Sequence, residues 1–337
     1  MIMISVIIPL YNKAHTIVNT LNTVFNQTYQ NFEVIIVNDG STDNGVEVIK
    51  QNFNDSRIRI ISQSNAGVSA ARNKGVDESR GEWVSFLDGD DEWHPNYLSI
   101  ISTSISQYPE VGMICTGGLY GNVKNPSKVG YRIASKYANK ITIVNFFENP
   151  CVFSHTSGLS VKKCIFKKTH GFPLGMKCCE DYACTQAIAL ITKTLYIGLP
   201  ISKYNGGVEG QTTSIDTETR FKYLKYVVDY YNLVMNDYLF TKSVNKVFKI
   251  YFKYDIRHRI KGFITSNDKR SLDFFLANLS NEVLNLFSSR EISLYKNCRT
   301  TSLFWINFTK LIWKTHGYPI VGENVNIEKL QNKYRKW

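Results

Sequence analysis

Trp83-Val84-Ser85-Phe86-Leu87-Asp88-Gly89-Asp90-Asp91 runs from an apolar, β-like segment directly into three carboxylates. Clustered negative charge at the end of a buried strand is costly unless a cation lies beside it. Mg²⁺ and Mn²⁺ prefer oxygen ligands, and they commonly bind few protein carboxylates together with the phosphates of a substrate. The run therefore predicts a metal-bridged phosphate ligand at the carboxyl edge of an α/β sheet. A polar Asp-Gly turn without a ligand is the alternative.

Strand-like and helix-like segments alternate upstream of this run. A β-strand is predicted at each apolar, β-branched segment, namely 4–9, 33–37, 57–61 and 83–87. Helices are predicted between them at 14–26, 43–53 and 66–78, and Ser41 or Thr42 is a candidate cap for the second helix. The alternation predicts a mostly parallel, doubly wound α/β sheet.

Polar side chains follow three of the four predicted strands. They are Tyr11 with Asn12, then Asp39, then Asp88 with Asp90. Ligands of doubly wound sheets bind beyond the carboxyl ends of the strands, so we expect these side chains to share one crevice. The chain has neither Gly-x-Gly-x-x-Gly after the first strand nor a P-loop motif, which disfavours a dinucleotide fold or a glycine loop as the phosphate site.

Four motifs follow one another along the first hundred residues, namely Val6–Asn12, Glu33–Asp43, Asn65–Gly75 and Phe86–Asp91. In this order and spacing, they resemble the motifs of family 2 inverting glycosyltransferases with the GT-A fold. The resemblance is close over residues 1–100 and looser to residue 220. It implies a GT-A nucleotide-sugar-binding catalytic domain at 1–220. Residues 221–337 lie outside the resemblance, and their own pattern predicts a basic, aromatic-rich helical region.

The resemblance implies a role for each matching position. Asp39 would accept from the edge of a nucleotide base, most often uracil, and Asp90 would be the main metal ligand, with Asp88 near the ribose and the metal. Asp39 as a helix cap and Arg72 as a structural ion-pair partner are the alternatives. The implied nucleotide-binding set is Pro9, Tyr11, Asp39, Asn65, Arg72, Asp88 and Gly89.

An inverting transfer also needs a base that removes the proton of the acceptor hydroxyl. Glu180-Asp181 follows Gly171-Phe172 and opens a helix-like stretch that ends near Ile191. In the family, the second carboxylate of such a pair is usually the base, so the resemblance implies Asp181 as the base, with Glu180 in support. Acidic residues are also favourable in any first helical turn, which is the alternative explanation.

The cysteines and histidines indicate neither a zinc site nor a disulfide framework. Seven cysteines are irregularly spaced without a Cys-x-x-Cys pair, and the six histidines show no ligand spacing with them. Reduced thiols favour a cytoplasmic protein. His94 and His155 are placed near the cleft but are assigned no role.

The charge of the chain is concentrated in its last hundred residues. The formal net charge is +12, and residues 241–337 hold 18 Lys or Arg against 7 Asp or Glu. We expect no signal peptide and no membrane-spanning segment. A nucleic-acid-binding motif does not accompany the charge, so nucleic acid is not an expected partner.

The basic region is predicted to be helical at 221–239, at 246–257, as one amphipathic helix at 271–288, and at 302–314. Phe304, Trp305, Phe308 and Trp313 are interleaved with lysines, which suits the surface of an anionic membrane. A helical core with solvated lysines explains the same pattern, and an anionic glycan acceptor is a third explanation.

Three connecting segments are candidates for the rest of the cleft. Residues 117–139 are expected to form a loop or hairpin over it, and residues 205–213 are a candidate lid. The resemblance places residues 154–158 beside the acceptor.

The sequence thus predicts a glycosyltransferase that uses Mn²⁺ or Mg²⁺ and a nucleotide-sugar donor, in particular a UDP-sugar. Its expected acceptor is a saccharide or lipid-linked saccharide in surface polysaccharide synthesis, reached from the cytoplasm or from the inner face of the membrane. A nucleotidyltransferase and a non-catalytic nucleotide-sugar binder are the alternatives.

Overall fold

The parallel half of the sheet is built around β1 (Ile4–Leu10), which is buried along almost its whole length. β1 pairs in parallel with β2 (Phe32–Asp39) and with β4 (Trp83–Phe86), and β2 pairs in parallel with β3 (Ile58–Gln63). The computed structural model describes residues 2–122, 125, 129–149, 151–208, 217–243 and 245–315. Within these ranges the four predicted strands are found within two residues of their expected ends.

The second half of the sheet mixes strand directions. Its strands are β5 (Glu92–Trp93), β6 (Val111–Asn122), β7 (Gly130–Arg132), β8 (Ile141–Val144), β9 (Leu159–Lys162) and β10 (Lys193–Gly206). Along the sheet the order is β3-β2-β1-β4-β9-β6-β10-β5, in which β6 and β10 are parallel and β9 is antiparallel to both of its neighbours. β7 pairs with β6, and β8 pairs with β10. The predicted α/β class with a mostly parallel central sheet is confirmed.

Helices cover both faces of the sheet because side chains of a strand alternate between its faces. Ile8 packs in a core with Leu21 and Ile49, whereas its neighbour Ile7 packs in a second core with Ala71 and Ile188. The helices of this part are α1 (Ile17–Phe25), α2 (Gly45–Asn52), α3 (Val68–Glu78), α4 (Tyr97–Gln107), α5 (Lys163–Phe166) and α6 (Glu180–Ile191).

The expected cap of α2 is wrong. The helix begins after Asn44, which makes no side-chain cap bond, and Ser41 and Thr42 lie farther upstream. The Asp43 carboxylate instead accepts from the Gly45 and Ala14 backbone N–H groups, at 3.1 and 2.8 Å. The segment after β2 is therefore bonded to the segment after β1, which brings the two loops together at one edge of the sheet.

The C-terminal region is helical, and its apolar side chains join the core that lies on the α3 and α6 face. The single helix predicted at 271–288 is wrong, because the Ser280 hydroxyl accepts from Val283 N–H and starts a new helix. The boundary at residue 220 stays a prediction. The helices are α7 (Thr217–Phe240), α8 (Lys246–Thr265), α9 (Lys269–Asn278), α10 (Asn281–Leu284), α11 (Ser289–Asn297) and α12 (Arg299–Thr315).

The two aromatic helices of this region differ in what they expose. Phe248 and Phe252 of α8 are fully buried, which fits the core explanation. On α12, Trp313 is buried, but Phe304 is 72% exposed and Phe308 is 45% exposed. In the part of the chain that the structure describes, no helix is both long and apolar enough to cross a membrane.

Two of the three predicted connecting segments are only partly described. β6 and β7 pair as an antiparallel hairpin, in agreement with the expectation for 117–139, although residues 123, 124 and 126–128 lie outside the described ranges. The candidate lid is described as far as residue 208, and residues 209–213 also lie outside. Residues 156–158 form a short 3₁₀ helix directly before β9.

Candidate nucleotide-binding and catalytic site

The acidic turn after β4 is anchored by Asp91. This carboxylate is buried, and it accepts from the Ser157 hydroxyl at 2.5 Å and from the Asn205 backbone N–H at 3.1 Å. Burial and the neighbouring charges of Asp88 and Asp90 raise its pKa well above the usual range. Asp91 therefore joins the turn to β10 and to the 3₁₀ helix at 156–158. Asp91 had no predicted role of its own, because its partners lie far away in the chain.

The other two carboxylates of the turn each pair with a cation. Lys13 Nζ lies 2.7 Å from Asp90 Oδ2, and Arg72 Nη2 lies 2.7 Å from Asp88 Oδ1. The Gly89 carbonyl between them accepts from the Thr16 hydroxyl at 2.8 Å. The turn is thus held against the loop after β1, as expected for polar groups at neighbouring carboxyl ends of a sheet. Sequence analysis did not identify Lys13.

The suitability of this turn for a divalent metal follows from its donor set. Within the described ranges, no three His, Cys, Asp or Glu side chains are grouped so as to hold a metal ion by themselves. Asp88 and Asp90 nevertheless present hard oxygen donors from one turn, and each already attracts a cation. Mg²⁺ commonly takes one or two carboxylates and completes its shell with water and phosphate oxygens. The residues therefore fit an ion that is bound jointly with a diphosphate.

Asp39 organises the loop that leads into α3. Its buried carboxylate accepts from the Ala66 and Gly67 N–H groups at 2.9 and 2.8 Å, and from Gln63 Nε2 at 2.8 Å. Gly67 has a φ of +91°, which glycine adopts at little cost. Asp39 therefore lies at the start of α3, not at the start of α2. Its contact with a nucleotide base stays a prediction.

The remaining expected base-binding residues lie at the same edge of the sheet as Asp39. The Tyr11 side chain is 48% exposed at the end of β1, so its ring is available to a ligand. A Cβ at Gly40 would lie 2.8 Å from the Asn65 backbone nitrogen, so the loops after β2 and β3 touch there. Pro9 pairs with Val37 inside the sheet. The structure thus brings Pro9, Tyr11, Asp39 and Asn65 to one edge of the sheet.

Arg72 connects the acidic turn to the start of α6. Besides its bond to Asp88, its Nη1 donates to Glu180 Oε1 over 3.3 Å, and the guanidinium lies 5.0 Å from the centre of the Phe172 ring. Burial opposes its positive charge, but the carboxylates of Asp88 and Glu180 outweigh burial and raise its pKa. Arg72 therefore forms ion pairs with both groups of candidate site residues and joins them, and its contact with a nucleotide stays a prediction.

The Asp181 carboxylate holds a proton more tightly than an ordinary aspartate. Its pKa is raised to about 7, first by burial and then by the charge of Glu180, while Arg72 opposes the increase. The Asp181 carboxylate also accepts from the Tyr182 N–H at 2.8 Å. α6 begins at Glu180, directly after Cys179, whose φ is 64°. Glu180 and Asp181 therefore lie in the first turn of α6, as the sequence predicted.

Relatives and a family model place the chain among known proteins. The family model described as glycosyl transferase family 2 matches residues 5–166. An uncharacterized glycosyltransferase of Nostoc sp. is 30% identical over 248 residues, which cover 70% of this chain and 75% of that protein. Glycosyltransferase GlyA of Streptococcus pneumoniae is 36% identical over 149 residues, which cover 43% of this chain and 21% of GlyA.

Several relatives are much longer than the segment they share with this chain. The match covers 14% of an uncharacterized glycosyltransferase of Rickettsia bellii, 21% of GlyA and 29% of YibD of Escherichia coli. The activity and partners of a whole relative are therefore not transferred to this chain.

The solved structures agree with the sequence relatives on the fold. TarS 1-349 of S. aureus, crystallised with UDP-GlcNAc, superposes with a TM-score of 0.70 at 17% identity, covering 96% of this chain and 95% of that one. At this identity the likeness concerns the fold alone. The resemblance inferred from the four motifs is confirmed by the family model and by the Nostoc relative. The chain belongs to glycosyl transferase family 2 and has a GT-A-like fold.

Proposed function

We propose that this protein transfers a sugar from a nucleotide-sugar donor, in particular a UDP-sugar, with inversion at the anomeric carbon. The observation that carries the proposal is the guanidinium of Arg72, which contacts Asp88 of the acidic turn and Glu180 beside Asp181. It links a candidate diphosphate site to a candidate base. Two fold neighbours support the choice of donor class, namely TarS with UDP-GlcNAc and a mannosyltransferase of Pyrobaculum calidifontis with GDP-Man and Mn²⁺.

The donor would lie along the carboxyl ends of β1, β2 and β4. Tyr11 and Pro9 would wall the base, and Asp39 would accept from its edge. The bonds from Ala66 and Gly67 fix the Asp39 carboxylate before a ligand arrives, so little ordering would be needed on binding. Asn65, Arg72, Asp88 and Gly89 would complete the nucleotide site.

Asp90 and Asp88 would hold Mn²⁺ or Mg²⁺ together with the donor diphosphate. When bound, such an ion stabilises the negative charge that develops on the departing diphosphate. Lys13 would have to leave Asp90 Oδ2, or share it, when the carboxylate binds a metal. An ammonium released there would lie near the phosphates and add to their charge compensation.

Asp181 would remove the proton of the acceptor hydroxyl as that oxygen attacks the anomeric carbon. A pKa of about 7 leaves a large fraction of this carboxylate ionised at neutral pH, while it retains enough basicity to accept the proton. Glu180, held by Arg72, would keep the start of α6 in place. The bond from the Tyr182 N–H orients the Asp181 carboxylate without needing a further side chain.

The acceptor would be a saccharide or a lipid-linked saccharide of a surface polysaccharide, reached from the cytoplasmic side of the membrane. The exposed α12 side chains Phe304 and Phe308, together with Leu311, support a peripheral contact with an anionic membrane. Burial and the charges of Lys261 and Lys314 lower the pKa of Lys310. An anionic surface would relieve the repulsion among these three ammonium groups.

A donor screen tests the proposal. Thermal shift or calorimetry with UDP-, GDP- and dTDP-sugars, each with and without Mn²⁺, should give the largest metal-dependent stabilisation for one UDP-sugar, followed by transfer or hydrolysis of that donor. A nucleotidyltransferase would instead release pyrophosphate from a nucleoside triphosphate. A non-catalytic binder would be stabilised by the donor but would neither transfer nor hydrolyse it.

A further inference from the structure

The hairpin formed by β6 and β7 presents a fixed guanidinium. The Arg132 guanidinium carbon lies 4.2 Å from the centre of the Tyr120 ring, and Arg132 Nη1 donates to the Tyr120 hydroxyl over 3.3 Å. Tyr120 in turn donates to the Ser154 carbonyl over 2.7 Å. The ring contact and the two bonds therefore place Arg132 relative to the segment at 154–155.

This guanidinium is exposed, and the described residues provide it with no counter-charge. No ion pair between Arg132 and a carboxylate occurs within the ranges that the structure describes. An arginine has five N–H donors, and the Tyr120 hydroxyl takes only one of them. The remaining donors form a planar fork of the kind that binds phosphate or carboxylate oxygens in pairs.

Arg132 and the candidate base Asp181 both act electrostatically on two tyrosine side chains. Its positive charge acts to lower the pKa of Tyr182, and the Asp181 carboxylate acts on the same phenol in the opposite direction. The pKa of Tyr120 is likewise lowered by the charge of Arg132 and raised by the charge of Asp181. The Arg132 guanidinium and the Asp181 carboxylate are therefore both close enough to Tyr120 and Tyr182 to change the pKa values of these phenols. Tyr182 is 38% exposed, so part of its ring is open to a ligand.

His155 adds a buried polar atom that lacks a partner. Ser154 donates its hydroxyl hydrogen to the Thr116 carbonyl at 3.1 Å, so its oxygen must accept from His155 Nδ1, 2.9 Å away. This assigns the proton to Nδ1 and leaves a lone pair on Nε2, since burial lowers the pKa of the imidazole to about 4. His155 is only 7% exposed, and its Nε2 has no hydrogen-bond partner among the described residues.

The packing of His155 shows that the ring is held in place. A Cβ at Gly118 would lie 2.8 Å from His155 Cε1, so the imidazole packs directly on the bare backbone of β6. The Tyr120 ring meets it at an interplanar angle of 80° with the centroids 5.6 Å apart. The Nε2 lone pair is shielded from solvent, so a ligand hydroxyl can donate to it only if a side chain that covers the ring moves aside.

We propose that Arg132, Tyr120 and His155 form a subsite for an acceptor that carries an oxyanion close to a free hydroxyl. Arg132 binds the oxyanion of a phosphate or carboxylate group, and His155 Nε2 accepts from a hydroxyl of the same molecule. The inference rests on the proposed function, because it assigns the site to the acceptor and not to the donor. It makes Arg132 a determinant of which acceptor is preferred.

The test compares three probes that share a hexose ring: glucose, glucose 6-phosphate and glucuronate. Their affinities are measured by calorimetry at one ionic strength, on full-length protein saturated with UDP and Mn²⁺. The wild-type protein should bind one or both anionic probes about tenfold more tightly than glucose. The phosphate and carboxylate arms identify which oxyanion fits. Equal affinities for all three probes would overturn the inference.

Variants then locate the effect. Arg132→Gln should remove the preference for the anionic probes and leave the affinity for UDP unchanged, while Arg132→Lys should retain part of the preference. His155→Phe should weaken glucose and the anionic probes alike. Lys136→Gln is the matched control, because Lys136 is another exposed cation near an aromatic ring, 5.5 Å from the Tyr137 centroid. It should bind all probes like the wild type.

Two further outcomes would contradict the assignment. If Arg132→Gln weakens UDP binding, the guanidinium belongs to the donor diphosphate. If Lys136→Gln removes the anionic preference as fully as Arg132→Gln does, the preference reflects general surface charge. Failure of the wild-type protein to bind UDP would be a failure of the proposed function, and it would be recognised before any acceptor probe is added.

Discussion

Arg72 donates from Nη2 to Asp88 Oδ1 over 2.7 Å, although the two side chains come from a helix and from the turn after the next strand. The same guanidinium reaches Glu180, at the start of α6. Its side chain is 5% exposed, so the interaction is little screened by water. The two halves of the candidate site therefore share one buried cation.

Asp181→Asn should abolish most of the sugar transfer and leave donor affinity unchanged. The amide cannot accept the proton of the acceptor hydroxyl, and loss of a positioned general base typically lowers the rate by about 10²- to 10⁴-fold. Initial rates of UDP release and calorimetric donor affinity measure the two quantities on one preparation. Asp273→Asn, an exposed aspartate on α9, is the control and should match the wild type. Unreduced turnover in Asp181→Asn would remove Asp181 from the mechanism.

The rate of transfer should depend on pH through Asp181. Because its folded-state pKa is raised to about 7 and the ionised form is the active one, kcat/KM should fall as pH drops through about 7 and level off above it. Arg72 opposes this increase in pKa, so Arg72→Gln should move the acid limb to higher pH. The measurement is the pH profile of kcat/KM for both proteins. An acid limb near pH 4 in the wild type would contradict the assignment.

Asp91 should matter for stability more than for chemistry. Asp91→Ala leaves the Ser157 hydroxyl and the Asn205 N–H without this acceptor, and such losses at buried positions cost about 1 to 3 kcal/mol each. Asp91→Asn keeps an acceptor oxygen and should cost less than the alanine variant. Urea unfolding measures both changes, with Asp229→Ala on the exposed side of α7 as control. Equal stability of all three variants would exclude the anchoring role.

The parts of the fold that could be predicted from the sequence are those determined by the pattern of neighbouring residues. The β-branched runs around Ile7 and Ile35 and the acidic start of α6 were located correctly, because side-chain periodicity and helix-end charge act over a few residues. The single helix at 271–288 failed at Ser280, where a capping bond competes with helix continuation. Capping depends on backbone geometry that the pattern of apolar residues does not contain.

The parts of the site that sequence missed depend on contacts between distant segments. The bond from Ser157 to Asp91 and the pairing of Lys13 with Asp90 join residues far apart in the chain, and neither has a local signature. The acidic run could have indicated a separate role for Asp91, because a third carboxylate in one turn needs its own hydrogen-bond donors to offset the charge repulsion. Arg72 was predicted as a possible ion-pair partner, but Glu180 was not identified as the carboxylate that it contacts.

The exposed face of α12 should bind anionic membranes if its apolar side chains insert among lipid head groups. The paired change Phe304→Ser and Phe308→Ser removes two exposed aromatic rings and should reduce co-sedimentation with vesicles that contain phosphatidylglycerol. Neutral vesicles should bind more weakly because Lys310 and Lys314 then lack their counter-charge. Ile250→Ser, a half-exposed position on α8, is the control. Indifference to lipid charge would favour a role in packing or self-association.

Metal-dependent donor binding at Asp90 is the most direct test of the central claim. Calorimetric titration of a UDP-sugar into the wild-type protein should show much tighter binding with Mn²⁺ than without it, because the ion joins the diphosphate to the acidic turn. Asp90→Ala should bind equally weakly in both conditions. If Asp90→Ala keeps the full Mn²⁺ dependence of the wild type, the metal and the diphosphate bind elsewhere, and the proposed site is wrong.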